Sequence, residues 1–182
     1  MLALFAGLIA AAAKPVVTRE NSPEQFKWQL KDIYHDWNAW NADLTKAETV
    51  LDQLAAMKGT LGASSSNLLS YYQLTDEIGK LGTTLYCYPY LLRSLDARNP
   101  EVSNGFQLIQ AFFAKAGQDL SWTLPELVQI PEEKVMAWIN SDKAFEPYRF
   151  NIENMYRLQA HVLPAEQEQL ISYFSMMEKT PA

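Results

Sequence analysis

Apolar residues recur at alternating intervals of three and four positions along most of this chain, and this spacing constrains the fold more than any other feature of the sequence. Residues at such intervals lie on one face of an α-helix, so each stripe predicts an amphipathic helix that buries this face. The first stripe consists of Trp37, Trp40, Leu44, Ala47, Leu51 and Leu54. No convincing run of alternating apolar and polar residues is present, and the Asn104-Gly105 pair falls inside a helical stripe rather than between two strands.

Polar residues and glycines predict where this first helix and the next one begin and end. Asp36 directly precedes the stripe, where a carboxylate can accept a backbone N–H and meet the positive end of the helix. Gly59 and Gly62 are expected to end the helix. The following loop, "GASSSN", offers Ser65 or Ser66 as the cap of the second helix.

Two further stripes predict two more long helices. The second stripe consists of Leu74, Ile78, Leu81, Leu85, Tyr88, Leu92 and Leu95. The third consists of Val102, Phe106, Ile109, Phe113, Ala116 and Leu120. Pro89 is expected to interrupt the second helix and bend it, because proline lacks a backbone donor. Asn99 is the expected cap of the third helix, with Pro100 in its first turn.

The remaining segments predict an all-α fold, a bundle of three long antiparallel helices plus several short helices. Pro125 and Pro131 divide the chain into short pieces, and two more amphipathic segments follow at 147–159 and 165–177. Helices joined by short loops pack as antiparallel neighbours. A coiled coil is the alternative, but each stripe lasts only about three heptads and the flanking charges show no e/g order. Intramolecular packing is therefore the better interpretation.

The chain divides by composition into four parts. Residues 1–13 contain an unbroken apolar run that ends in three alanines, which satisfies the small-residue rule for signal cleavage. We expect a truncated export signal, with mature protein beginning near Lys14 and exported to a bacterial periplasm; an apolar arm and a cytoplasmic location are the alternatives. Residues 14–25 are expected to be a linker, 26–178 a helical domain and 179–182 a tail. The apolar run is too short to span a bilayer comfortably.

Charge and cysteine content exclude several classes of function. A net charge of −6 and an isoelectric point near 4.9 argue against a nucleic-acid partner, which would need a basic patch. The single cysteine, Cys87, excludes an intrachain disulfide and a metal site built from several cysteines. It lies among aromatic and aliphatic residues, which predicts a buried and inert thiol.

Few residues suggest chemistry. His35 and His161 are far apart and neither has a histidine four positions away, so the chain has no H-E-x-x-H zinc helix. The pair of His35 and Asp36 is better explained by the capping role of Asp36, and Glu132 and Glu133 by the first turn of a helix. No catalytic and no metal-binding residue is assigned, and the binding residues are unknown. Five tyrosines are expected in the core or at its rim: Tyr71, Tyr72, Tyr86, Tyr88 and Tyr90.

Five segments, taken together and in order, resemble the N-terminal helical region of oligoendopeptidase F. Residues 28–34, "WQLKDIY", resemble the W-x-L-x-D-[IL]-[YF] motif at the start of that region. Lys58, Gly59 and Leu61 continue in the same register. The other matching segments are "LYCYPYLLRSLDARNPE", "LPELVQIPEEKV" and "YRFNIENMYRLQAHVLPAEQEQLI". The resemblance covers about residues 26–178. Pro164 departs from it, because it stands where the family usually has a capping serine.

This resemblance implies that the chain derives from an enzyme of this family, and it does not imply that the chain itself is a peptidase. The family, related to thimet oligopeptidase, consists of zinc metallopeptidases that cut short peptides in a channel between two helical halves. Its zinc ligands come from an H-E-x-x-H helix and a later glutamate, downstream of the region matched here. The resemblance therefore implies no cofactor in this chain, zinc in the intact enzyme, and no peptidase activity from the chain alone.

Two functions follow as hypotheses. The first is an N-terminal, channel-forming domain that controls substrate access, present as a fragment without the zinc site; its partners would be the missing catalytic half and short peptides. The alternative is a stand-alone, catalytically inactive helical module that binds peptides or a protein partner. A reading frame that continues past Ala182 into H-E-x-x-H would favour the first.

Overall fold

Three long helices dominate the computed structural model, which describes residues 21–174. They are α1 (Trp37–Ala56), α2 (Ser65–Leu95) and α3 (Pro100–Asp119). The described part of the chain contains no β-strand, so the predicted all-α class is confirmed. The predicted signal or arm at residues 1–13 lies outside the described residues.

Shorter helices follow and precede this bundle. Four are α-helical: α4 (Thr123–Gln129), α5 (Glu132–Ser141), α6 (Arg149–Arg157) and α7 (Ala165–Phe174). Single turns of 3₁₀-helix are formed by Glu24–Phe26, Leu30–Asp32 and Gln159–His161, and a longer one by Lys143–Tyr148. The breaks fall where the prolines predict them, since Pro131 directly precedes α5 and Pro125 lies in the first turn of α4.

The helices α1 and α2 run antiparallel. The Trp37 ring at the start of α1 lies 5.2 Å from the Tyr88 ring near the end of α2. Further along, Lys46 of α1 pairs with Glu77 of α2 at 2.8 Å. Early residues of α1 therefore contact late residues of α2, as predicted for antiparallel neighbours joined by a short loop.

The helix α1 begins as predicted and ends earlier than predicted. Asp36 Oδ1 accepts the backbone N–H of Ala39 at 2.9 Å, which confirms the cap. The helix ends at Ala56, three residues before Gly59, whose φ of +79° places it in the turn that follows. The buried positions of its face are Trp40, Ala47, Val50, Leu51 and Leu54.

The cap of α2 is Ser64, so the prediction of Ser65 or Ser66 was wrong. The Ser64 hydroxyl accepts the backbone N–H of Asn67 at 3.2 Å. Any of the three serines in the loop can serve by composition, and only the backbone geometry selects one. Ser64 has the extended conformation of a cap residue, while Ser65 is already helical.

The helix α2 runs through Pro89 without a break, so the predicted interruption was also wrong. Proline has no N–H to donate to the carbonyl of Leu85, four residues earlier. That carbonyl instead accepts the indole N–H of Trp40 at 2.9 Å, in a buried position. A side chain of α1 therefore replaces the donor that the proline removes from α2.

The helix α3 begins as predicted, but its buried face differs at one position. The Asn99 side chain accepts the N–H groups of Glu101 and Val102. Phe112 is buried at 5% exposure, whereas Phe113 from the predicted stripe is 41% exposed. Phe113 lies at the margin of the face, over Gly82 of α2, where the bundle meets solvent.

Two clusters of buried side chains form the core. The first joins the start of α1, the end of α2, and α3; it contains Tyr34, Trp40, Ala47, Leu51, Leu85, Tyr88, Phe106, Ile109 and Phe112. The second joins the opposite end of α1 and α2 to the shorter helices; it contains Val50, Leu54, Leu61, Leu68, Tyr71, Trp122, Leu127, Ile130, Val135, Ile139, Phe145, Ile152 and Tyr156. The short helices are therefore part of the same folded unit as the bundle.

Candidate interaction surfaces

The His35–Asp36 pair lies at the start of α1 on the surface. His35 Nδ1 is 3.2 Å from Asp36 Oδ2, and the His35 side chain is 85% exposed. The backbone N–H of Ala39, and then the His35 hydrogen bond, lower the pKa of Asp36 below its ordinary value. This geometry supports a capping role for Asp36.

The other polar residues considered for chemistry are spread over separate elements. His161 is exposed in a 3₁₀ turn, and Glu132 and Glu133 are exposed in the first turn of α5. Cys87 is half-buried rather than buried, because it lies beside the face of α2 that carries Leu85 and Tyr88. Between residues 21 and 174, no three His, Cys, Asp or Glu side chains are grouped so that they could hold a metal ion. The described residues therefore offer no grouped ligands for zinc.

The five tyrosines occupy core and rim positions, as predicted. Tyr71 and Tyr88 are buried, Tyr72 and Tyr86 are half-buried, and Tyr90 is exposed. The Tyr72 ring stacks on Tyr148 with centroids 4.9 Å apart, and burial raises the Tyr72 pKa above its ordinary value. These rings therefore pack helices together.

Glu126 of α4 is a half-buried carboxylate that accepts two backbone hydrogen bonds and that sequence reasoning missed. One of its oxygens accepts the N–H of Gly59 at 2.7 Å, and the other accepts the N–H of Leu61 at 2.9 Å. The positive φ of Gly59 turns both N–H groups toward the same point, as in a backbone nest that binds an anion. Glu126 therefore fixes the turn between α1 and α2 to α4.

This contact joins two segments that carried the family resemblance. Gly59 belongs to the "KGTL" segment, and Glu126 to "LPELVQIPEEKV". Lys134 of the same segment donates to the Gly62 carbonyl at 2.8 Å, on the other side of the turn. A cleft of about 460 Å³ lies beside these contacts, lined by Lys58, Gly59, Gly62, Trp122, Pro125, Glu126, Gln129, Ile130, Pro131, Lys134 and Ala165.

The "WQLKDIY" segment packs its last residues into the bundle and leaves its tryptophan at the surface. Tyr34 is buried; its hydroxyl donates to Asp43 at 2.9 Å, and burial raises its pKa to about 12. Trp28 is 64% exposed. It forms one wall of an apolar groove of about 250 Å³, whose other lining residues are Leu30, Leu91, Ser94 and Leu95.

A second exposed apolar region lies in α6, α7 and the segment between them. Six of the thirteen large apolar side chains that are exposed in the described part of the chain fall between positions 150 and 173. They are Phe150, Leu158, Leu163, Leu170, Ile171 and Tyr173. Large exposed apolar side chains are therefore more frequent in this part of the chain than elsewhere among residues 21–174.

No helix among residues 21–174 combines the length and the apolar character needed to cross a membrane.

Several known proteins that are similar to this chain are named as oligoendopeptidase F or oligopeptidase PepF. A family model described as Oligopeptidase F matches residues 126–182. The plasmid-encoded oligoendopeptidase F of Lactococcus lactis subsp. cremoris is 24% identical over 165 residues, which are 90% of this chain and 28% of that protein. Oligopeptidase PepF of Bacillus subtilis is 23% identical over 145 residues, which are 80% of this chain and 22% of that protein. This chain therefore spans about a quarter of the length of these relatives.

Solved structures share the fold. The crystal structure of oligoendopeptidase-F from Enterococcus faecium matches with a TM-score of 0.69 at 23% identity, over 78% of this chain and 28% of that chain. That of a putative peptidase from Chlamydophila abortus matches with a TM-score of 0.68 at 27% identity, over 88% of this chain and 27% of that chain. The family model, the relatives and the shared fold all support the similarity of this chain to the N-terminal helical region of oligoendopeptidase F.

Proposed function

We propose that this chain is the channel-forming, substrate-access domain of an oligoendopeptidase F-like zinc metallopeptidase, and that it contributes no catalytic group. The observation that carries this proposal is the match along 90% of the chain to 28% of a relative named as an oligoendopeptidase. A domain of this kind acts by shape. A narrow channel wall admits flexible peptides and rejects folded proteins.

The core of the domain supports such a role. Trp40 is fully buried and bonded to α2, and Glu126 ties the α1–α2 turn to α4. Contacts between elements this far apart in sequence oppose local opening, because each would have to break before a helix could move. A wall with these contacts keeps its shape while peptides pass.

In this proposal, the zinc chemistry is carried out by the part of the enzyme that lies outside the region matched by this chain. Bound zinc lowers the pKa of a coordinated water toward ~7 and so supplies the nucleophile for peptide hydrolysis. The described residues of this chain offer no grouped ligands for it. Their contribution is to position peptides and exclude folded proteins.

The exposed apolar region in α6 and α7 supports contact with that remaining part. Leu170 and Ile171 are 56% and 53% exposed, so a second protein surface could bury both side chains. Both lie in the segment that the family model matches.

We also propose that the protein is exported, as residues 1–13 predict. N-terminal sequencing of protein from the native host should find a start near Lys14. A retained Met1 in the cytoplasm would contradict export.

A fusion tests the proposed function. Residues 21–174 replace the matching segment of the Bacillus subtilis relative, and hydrolysis of a short fluorogenic peptide and of a folded protein is measured. The expected result is zinc-dependent cleavage of the peptide and none of the folded protein. The control is the same relative with the segment deleted, which should lose this size selection. A folded, zinc-loaded fusion with the behaviour of the deletion control would favour the stand-alone binding module.

A further inference from the structure

The groove beside Trp28 is formed where three elements meet. Trp28 precedes the 3₁₀ turn Leu30–Asp32, and this turn packs against α2 near its last turns, which contain Leu91 and Leu95. Leu95 is 47% exposed and Trp28 is 64% exposed. Phe26, two residues before Trp28, is 71% exposed. Apolar surface therefore extends beyond the groove itself.

The size of the groove favours a protein side chain as its occupant. Its volume is about 250 Å³. Sites for separate small molecules usually measure ~300–1,000 Å³ and combine apolar walls with several polar groups. Among the described residues that line this groove, Ser94 is the one with a hydroxyl group, and this hydroxyl donates to the Tyr90 carbonyl of its own helix. The groove has the size for one or two apolar side chains that anchor an interface.

None of the described lining residues is charged, which favours a permanent partner over a peptide substrate as the occupant of the groove. A short peptide carries charged termini, and a peptide bound here would find no charged side chain in the lining to meet them. Interfaces that never dissociate are more apolar and depleted of charge in their centre. The Lactococcus lactis relative is about three times as long as this chain, so it contains a large region that could cover the groove permanently.

We propose that the Trp28 groove receives apolar side chains of the remaining, catalytic part of the oligoendopeptidase F-like enzyme and is a fixed contact between the two parts. This inference rests on the proposed function. It adds a second contact surface, separate in sequence from the apolar region of α6 and α7. In the assembled enzyme Trp28 is buried, and it is an anchor of the interface.

The test compares the same variants in two contexts, the 182-residue chain and the fusion with the Bacillus subtilis relative. Ser94→Trp fills the groove with a large side chain, and Trp28→Ala removes its wall. Leu108→Ala is the control, because Leu108 is 41% exposed on α3 and does not line the groove. Thermal unfolding is measured for each variant, together with the sedimentation of the 182-residue chain.

The expected result depends on context. Ser94→Trp should leave the Tm of the 182-residue chain within about a degree and lower the Tm of the fusion by several degrees. Trp28→Ala should lower the Tm of the fusion by several degrees more than that of the 182-residue chain, while Leu108→Ala has the same small effect in both. Equal effects of the groove variants in both contexts, with an active wild-type fusion, would overturn the groove contact and leave the proposed function intact. A wild-type fusion that fails to fold or to select peptides would instead count against the proposed function. A dimer of the 182-residue chain that Ser94→Trp dissociates would assign the groove to a second copy and overturn this inference.

Discussion

The start of α1 and the last two described helices use large apolar side chains in opposite ways. Tyr34 and Trp40 are 6% and 0% exposed, and their polar atoms are bonded inside the bundle. Phe150 and Leu170 are 75% and 56% exposed. Both regions are rich in large side chains in the sequence. The second region buries Ile152 and Tyr156 but leaves six other large apolar side chains exposed. Composition therefore does not distinguish a core segment from an exposed one. The distinction depends on which residues of the bundle pack against the segment.

The difference has a consequence for stability. Side chains of the first region contribute to folding of this chain, because their burial is complete within it. The exposed side chains of the second region contribute little to the folding of this chain, because they remain in contact with solvent. Mutations of buried residues in the first region should therefore lower the free energy of unfolding of the isolated chain much more than mutations of exposed residues in the second.

The largest effect is expected for Trp40→Ala. Removing a fully buried tryptophan leaves a cavity and an unpaired carbonyl, and we expect a loss of about 3–5 kcal/mol in the free energy of unfolding. Phe150→Ala, at an exposed position, should change it by less than about 0.5 kcal/mol. Denaturant unfolding followed by circular dichroism measures both. Similar losses at the two positions would refute the contrast between core and contact surface.

A double-mutant cycle sharpens the role of Trp40. Trp40→Phe keeps a ring but leaves the Leu85 carbonyl without its buried donor, which should cost about 1–3 kcal/mol. In a Pro89→Ala background the backbone N–H of residue 89 can donate to that carbonyl, so the same change should cost about 1 kcal/mol less. Additive losses would show that the indole does not replace the donor that proline removes.

Two glycines in helices provide a matched comparison. A Cβ at Gly105 would lie 2.5 Å from ring atoms of Trp37, so Gly105→Ala should displace that ring and destabilise by about 1–3 kcal/mol. A Cβ at Gly79 meets no atom within 4 Å, so Gly79→Ala should stabilise by about 0.5–1 kcal/mol through helix propensity. Thermal melts of the two variants should shift in opposite directions. A shift to higher Tm in both would mean that Trp37 does not pack against α3.

The smallest of these effects concerns the turn between α1 and α2. Glu126→Ala leaves the N–H groups of Gly59 and Leu61 without their acceptor, and the half-exposed position limits the loss to about 1 kcal/mol. Amide hydrogen exchange in the turn should rise. Glu132→Ala removes an exposed carboxylate of the same charge and is the control. If amide hydrogen exchange in the turn is equally fast in the two variants, Glu126 does not stabilise the turn.

The elements of the fold could be predicted from local patterns, and the contacts between them could not. The apolar spacing predicted α1, α2 and α3, and Asp36 and Asn99 were identified as caps because a cap bonds to its own helix. Pro89 was judged from its own helix alone, and the compensating donor, Trp40, lies 45 positions earlier in the sequence. Local patterns cannot show such a contact.

The candidate surfaces needed the structure for the same reason. Trp28 belongs to a motif whose other apolar residues pack into the bundle, and its exposure depends on where α2 ends. Glu126 looks like an ordinary helix-start acid until the positive φ of Gly59 brings two N–H groups to it. The sequence did carry one signal for this contact, because both residues lie in segments that resemble the same family.

The most direct test of the central claim is the activity of the purified 182-residue protein. Short fluorogenic peptides are incubated with the protein, with and without added zinc, and its metal content is measured after mild chelation. The account predicts no cleavage above background and less than one zinc per chain, because the described residues offer no grouped ligands and the catalytic part is proposed to lie elsewhere. Zinc-dependent cleavage by this chain alone that a chelator abolishes would contradict it.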